Sequence, residues 1–390
     1  MKLLLGTHAF LLHLLDFDPA TAALKRLASI ELKEQPSFAL RHPTLKDLWY
    51  VTAWVDSVIF VVRIDAEKET FEVLSEAQSG GGGPTFFTIT DDGESLLIAN
   101  YRSGEVTRLG LNPTTGLFIS DAAVIDDILA LPFSTPEKGR SMRLEDRQSS
   151  SHPHQVIRLP KRDETDVQTY LVPDLGGDAL FTVSYDKDRG WKILSEDRMR
   201  SGSGPRHAVV NTVNGSSYLY LVSELVNQVS VHPLTFSSTG IPIIGGATDV
   251  KSTLPDSLKG YLPEGPYESI ACAIILLTTP EGKQQLIITN RNASEQVRPE
   301  GDSIVVFPVH PDGSSLDAKT AQHLVGAGHH LRAAGITTDD DGTSYLLVGA
   351  RNGNGLTMYR QLKDGEGRWE ELFGQAQLKG VDLPISVDWI

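Results

Sequence analysis

Residues Gly83-Pro84-Thr85-Phe86-Phe87-Thr88-Ile89-Thr90 run into Asp91-Asp92-Gly93, then into Ser95-Leu96-Leu97-Ile98-Ala99-Asn100. Glu105-Val106-Thr107-Arg108-Leu109 follows, and Asn112-Pro113-Thr114-Thr115-Gly116 ends the passage. Each apolar run is long enough for a strand and too short for a helix. Each is bounded by Asp, Asn, Gly or Pro, the residues that reverse a chain. The opening proline has no N–H to lose from a sheet, so it suits a first strand position.

The same plan recurs. A copy opens at His152-Pro153-His154, passes 170–175 and continues at 179–183. Another opens at Gly204-Pro205-Arg206-His207, passes 218–225 and continues at 228–231. Two more run from about 267 through 286–292 to 303–307, and from near 328 through 345–352 to 356–359. An earlier, weaker copy runs from Gln35-Pro36-Ser37-Phe38 to 58–62. A more polar fourth strand closes each unit. That makes six copies at a period of roughly 45–60 residues, the length of a propeller blade. The N-terminus adds three strands (3–7, 11–17 and 24–32) and the tail from Leu383-Pro384 adds one. Three plus one completes a seventh unit that closes the ring by joining both chain ends. The expected fold is all-β: one seven-bladed β-propeller domain of four-stranded antiparallel blades over residues 1–390. A β-sandwich would leave the repeat and the complementary ends unexplained. Two polar, proline-bearing stretches, about 126–149 and 250–266, break the period and read as inserted loops.

Composition narrows the function. The chain has 390 residues, with 35 Lys+Arg against 50 Asp+Glu, a formal charge of −15. No basic stripe stands out, which argues against nucleic acid as a partner. No apolar run approaches the roughly 18 residues of a membrane helix, so no membrane partner is expected. One cysteine, Cys272, excludes an internal disulfide and multi-cysteine metal sites. The start, Met1-Lys2-Leu3-Leu4-Leu5, has a signal-like flavour. Gly6-Thr7-His8, His13, Asp16 and Asp18 interrupt it, and a cytoplasmic location is the expectation.

In a propeller, residues at one point of successive blades converge on the central channel. His154 follows Pro153, Arg206 follows Pro205, and Arg332 falls at about the same place in the last full copy. Glu224 ends a second strand, about where Asp174, Arg291 and Arg351 end theirs. His207, Asn227, Asn290 and Asn100 lie near these positions and are candidate substrate contacts. Guanidinium groups grip carboxylate or phosphate in a bidentate fork and stabilise an oxyanion; His and Glu supply proton transfer. His152 with His154, and His329 with His330, are weak metal candidates without a placed carboxylate. The glycine run 80–83 lacks the Lys-Ser/Thr of a phosphate-binding loop. No Gly-x-Ser-x-Gly nucleophile turn is present, and no metal or organic cofactor is expected.

Gly83-Pro84-Thr85, His152-Pro153-His154, Gly202-Ser203-Gly204-Pro205-Arg206-His207, Ser223-Glu224-Leu225 with Asn227, and Thr289-Asn290-Arg291 together resemble the lactonase family of seven-bladed propellers. That family includes 6-phosphogluconolactonases of the bacterial type and fungal 3-carboxy-cis,cis-muconate cyclases. The resemblance runs from Gly6-Thr7 to the Pro384 tail. It implies a channel-mouth site of one His, two Arg and one Glu, falling here on His154, Arg206, Arg291 and Glu224. Three departures stand out: Phe86 where many members carry a polar residue, Ser223 where Asn usually precedes the Glu, and the charged stretch 161–166. The implied partner is a small anionic lactone or polycarboxylate. The leading expectation is lactone hydrolysis, with Glu224 or His154 as the base. Cyclisation of a muconate by the same groups is the alternative, and a non-catalytic binding propeller is the third. Oligomeric state is left open.

Overall fold

The computed structural model describes residues 1–33, 35–121, 127–133, 147–164, 166–258, 270–291, 298–326, 328–353, 355–373 and 381–390. Among these residues the chain forms seven antiparallel sheets, each ordered by consecutive strands, in the ring expected. Taking blades in chain order, the innermost strands are Pro36–Arg41, Pro84–Ile89, Ile157–Arg158, Pro205–Val213, Ile270–Thr278, His329–Thr338 and, for blade 7, Pro384–Trp389. The second strands are Leu48–Ala53, Ser95–Asn100, Thr169–Asp174, Ser216–Ser223, Gln284–Arg291, Ser344–Asn352 and Lys2–Thr7.

Second and third strands are apolar on both faces because each blade packs against two neighbours. Tyr50, Val61, Phe87 and Ile98 fill the space between blades 1 and 2, and Tyr220, Val231, Ile288 and Val305 that between blades 4 and 5. The two tyrosines bury their rings and still satisfy their hydroxyls. Tyr50 donates to the Gly116 carbonyl at 2.7 Å and Tyr220 to that of Gly313 at 2.8 Å. Outermost strands have water on one edge and both faces, so their pattern is weak: Thr70–Gln78 is largely exposed or half-buried.

That weakness explains the one correction to the expected layout. Both predicted loops start inside sheets. Ile128–Ala130 pairs with Glu105–Thr107 as the outer strand of blade 2. Asp249–Ser252 pairs with residues 228–231, giving blade 4 a fifth strand. The remainder of the two predicted loops, apart from Asp127, 131–133, 147–149 and 253–258, lies outside the described residues.

Blade 7 is built from both chain ends. Leu3 pairs with Trp389, Leu5 with Val387 and Thr7 with Pro384. The closing strand lies so near its neighbours that side chains are excluded. A Cβ on Gly6 would stand 2.3 Å from the Pro36 carbonyl oxygen, and one on Gly335 2.5 Å from Val387 Cγ1. Removing residues 384–390 strips the Ile385 and Val387 side chains from the core and leaves Lys2–Thr7 an unpaired edge. The expected result is loss of the cooperative thermal transition in near-ultraviolet circular dichroism; a truncated chain that melts like the full one would refute closure as a source of stability.

Candidate active site at the channel mouth

The site is built by a repeated slip in register. Pro36 pairs with Ala53 but Phe38 with Thr52; Pro84 with Asn100 but Phe86 with Ala99; Pro205 with Ser223 but His207 with Val222. Equivalent slips follow Ala271, Leu331 and Pro384, and blade 3 slips between the Pro153–Asp174 bridge and Ile157–Leu171. One extra residue bulges from each innermost strand, and a bulge re-aims its side chain. The seven bulged residues are Ser37, Thr85, His154, Arg206, Cys272, Arg332 and Ile385. A second ring stands just beyond the partner residues: Trp54, Tyr101, Leu175, Glu224, Arg291, Arg351 and His8. Blades 4 to 6 therefore present the guanidinium groups, and blades 1 to 3 present neutral side chains.

Glu224 is the hub. It starts a single 3₁₀ turn, Glu224–Val226, closed by Asn227 in the left-handed region at φ 51°. Its N–H donates to the Gly204 carbonyl at 2.8 Å, and the side chain is fully buried. Oε2 accepts from Arg291 Nη2 at 2.9 Å and faces Arg206 Nε at 2.7 Å. Oε1 accepts from Arg147 Nη2. Burial alone would raise the Glu224 pKa. Arg147, Arg291 and Arg206 outweigh it and hold the carboxyl down at about 2. A carboxylate so held has no proton to give at neutral pH and is a weak base.

Arg147 was not legible in the sequence. It belongs to no repeat position and comes from the stretch read as an insertion. Its Nε also donates to the Tyr101 hydroxyl at 3.3 Å, tying the segment to blade 2.

His154, 6% exposed, lies against His207, with His207 Nε2 3.0 Å from His154 Nδ1. Arg206 Nη1 stands 3.1 Å from His207 Nδ1 and donates to the Cys272 carbonyl at 2.5 Å. Burial first, then Arg206, keeps both imidazoles well below their ordinary pKa, hence neutral. A guanidinium only donates. His207 Nδ1 must therefore accept, and His207 Nε2 carries the hydrogen that it gives to His154 Nδ1. The remaining proton of neutral His154 then sits on Nε2, as a donor at the mouth. Beneath, Phe86 meets the His207 ring edge-on at 6.0 Å and stacks on Phe38 at 4.4 Å. The departure at Phe86 thus supplies an apolar floor.

The structure gathers His154, Arg206, His207, Glu224 and Arg291, with Arg332 on the same ring. It does not bring Asn100 or Asn290 to the cleft. Both side chains are fully buried and turned into the blades: Asn100 bonds Ser79 and Thr107 at 2.9 Å each, and Asn290 bonds Thr253 and Ser303. Asn227 shapes the backbone beside Glu224 and accepts from the Thr253 N–H at 2.9 Å through its carbonyl. Asp174 pairs one position earlier than the residues matching Glu224; its carboxylate accepts the His152 N–H at 2.6 Å, and Leu175 takes the ring place. Among the described residues no group of three or more His, Cys, Asp or Glu side chains converges as a metal-ligand set. A separate cavity of about 840 Å³, lined by Asn214, Gly282 and Gly342 among others, lies at the opposite ends of the strands and holds none of these groups.

The model of the family described as lactonase, 7-bladed beta-propeller, matches residues 3–370. The chain belongs to that family. A protein of Arthroderma benhamiae named probable 6-phosphogluconolactonase is 25% identical over 243 residues, covering 58% of this chain and 55% of that protein. The chain thus matches about half the length of this curated relative. The periplasmic gluconolactonase of Pseudomonas aeruginosa superposes with a TM-score of 0.76 at 21% identity, over 100% of this chain and 98% of the other. A protein from Lactobacillus plantarum superposes at 0.70 with 20% identity, over the whole of both chains. These two likenesses carry the fold alone. No helix among the described residues of this lactonase-family chain is long and apolar enough to cross a membrane.

Proposed function

We propose that the chain hydrolyses a small anionic lactone by electrophilic activation. The observation that carries this is the contiguous contact of Arg206, His207 and His154, from which the donor order above is deduced, beside guanidinium groups held in place by one buried carboxylate. Preorganised donors act most strongly where water is excluded. In the reaction, water adds to the lactone carbonyl carbon and the oxygen becomes an oxyanion facing His154 Nε2–H and the Arg291 charge. Collapse breaks the ring C–O bond. The proton lost by the attacking water passes to the departing ring oxygen through solvent, giving the open hydroxy acid. Glu224 holds the three arginines and gives up no proton, so the role of base first expected for it or His154 is not needed. Family membership supports the reaction class.

The test is turnover of 6-phosphogluconolactone above its spontaneous rate, with and without EDTA, by wild type and Arg291→Ala. The expected result is EDTA-insensitive hydrolysis and a loss of about 10²-fold in kcat for the variant, the usual cost of one oxyanion donor. A folded protein that does not exceed the spontaneous rate would overturn the proposal. Turnover of 3-carboxy-cis,cis-muconate in its place would assign the lactone-forming direction.

A further inference from the structure

Blade 2 touches the histidine of blade 3 at two points. Thr85, the bulged residue of its innermost strand, has Oγ1 3.2 Å from the His154 carbonyl oxygen and 3.3 Å from that of Ala99, and shares its hydrogen between them. Tyr101, the blade's member of the second ring, sets its side chain edge-on to the His154 imidazole, with centroids 5.5 Å apart and planes at 76°. His207 meets the same imidazole at 4.8 Å and 77°. His154 is therefore in contact with two rings, each nearly perpendicular to its own plane and at the spacing aromatic pairs prefer. Tyr101 is itself held at backbone, ring and hydroxyl. Its N–H donates to the Gly83 carbonyl at 2.9 Å, so the glycine run 80–83 serves as its anchor. Its ring stacks on His152 at 4.4 Å with planes 9° apart, and its carbonyl accepts from His152 Nδ1 at 2.7 Å. Its hydroxyl accepts from Arg147 Nε.

Resting on the lactone proposal above, we infer that Tyr101 is a positioning residue for the hydrolysis: its ring fixes the plane of the His154 imidazole, and so the direction in which Nε2–H meets the oxyanion. The direction matters because a hydrogen bond weakens steeply once its angle falls below about 120°. The torsion that turns an imidazole has broad wells, so packing has to choose the plane. The bond from His207 settles which nitrogen of His154 accepts, and the ring can still tilt about that bond. Tyr101 supplies the second contact that stops the tilt. It acts through His154, and its link to Arg147 ties that support to the same segment that holds Glu224.

The test is a double-mutant cycle in kcat on 6-phosphogluconolactone, with Tyr101→Leu and His154→Ala in the full chain. Tyr101→Leu is expected to lower kcat by about tenfold or more with KM little changed, since about 1 Å of misplacement can cost on the order of 10²-fold. In the His154→Ala background the same change is expected to cost less than about twofold, because the group it aims is gone. Tyr101→Phe keeps the ring and loses only the hydroxyl, and is expected to restore kcat to within about threefold of wild type. Equal losses in both backgrounds, or a Phe variant as slow as Leu, would overturn the assignment. Nuclear Overhauser contacts give a readout apart from turnover, the His154 ring signals being those missing from His154→Ala. Wild type is expected to show contacts from His154 to both Tyr101 and His207. Tyr101→Leu should weaken the His207 contact and Tyr101→Phe should keep it. A His207 contact unchanged in folded Tyr101→Leu would overturn the assignment. Should Tyr101→Leu not fold, the wild-type spectrum and the Phe variant decide, and absence of the Tyr101–His154 contact refutes the inference. Both ring contacts in a wild type that turns over no lactone would sink the hydrolase proposal and leave Tyr101 as the support of His154.

Discussion

Glu224→Gln is expected to destabilise the protein by about 3–5 kcal/mol, the usual cost of removing one partner from a buried ion pair. The variant keeps the shape of the side chain and leaves Arg147, Arg206 and Arg291 facing one another without a counter-charge. Like charges in a poorly hydrated site then repel, and the loop-borne Arg147 is the one free to leave, being 33% exposed against 2% for Arg206. Adding Arg147→Ala to Glu224→Gln should therefore recover part of the loss, and a double-mutant cycle measures it. Strict additivity in chemical denaturation would show that the three guanidiniums do not act as one cluster. Acid offers a second check. The folded pKa of Glu224 lies near 2, below that of an ordinary carboxylate. Its contribution is therefore complete above the ordinary carboxylate range and fades as pH falls toward 2. The acid limb of wild-type stability should be steeper than that of Glu224→Gln.

The second large effect is catalytic. His154→Ala should lower kcat by about 10²–10³-fold if Nε2–H is a donor to the developing oxyanion. His154→Gln separates donor from base, because an amide N–H can donate a hydrogen bond and cannot take up a proton at neutral pH. Partial rescue by Gln is the expected result. The pH profile points the same way. Burial and Arg206 hold His154 well below its ordinary value and Glu224 stays ionised, so neither changes protonation state around neutral pH, and kcat/KM corrected for spontaneous hydrolysis should be flat there. A Gln variant as inactive as Ala, with a wild-type limb centred near pH 6 to 7, would make His154 the base and end the donor account.

The order of the blades was legible because strands buried on both faces are written in apolar residues and turns in Gly, Pro, Asn and Asp. Pro84, Pro153, Pro205 and Pro384 each mark the start of an innermost strand, and the residue after each bulges toward the mouth. That regularity is why His154, Arg206 and Arg332 could be aligned by position. It failed where chemistry and repetition part. Asn100 and Asn290 also hold equivalent places, one residue short of the ring, and their amides serve the blade interior. Outer strands such as Ile128–Ala130 were hidden because an exposed edge imposes little pattern. Arg147 was hidden because it has no counterpart in any repeat. Its part in the site comes from tertiary contact with Glu224, which no local signal encodes.

The closure of blade 7 bears on how the chain reaches this state during synthesis. Pro384–Trp389 follows every other strand in chain order. Until it is made, six blades and the three N-terminal strands of the seventh form a ring whose blade 7 lacks its innermost strand. The edge of Lys2–Thr7 and the apolar positions that Ile385 and Val387 fill are then exposed to other chains. The backbone of Gly6 must also stay clear for a strand that arrives last. The nascent chain is therefore open to intermolecular pairing along this edge until the closing strand has been made.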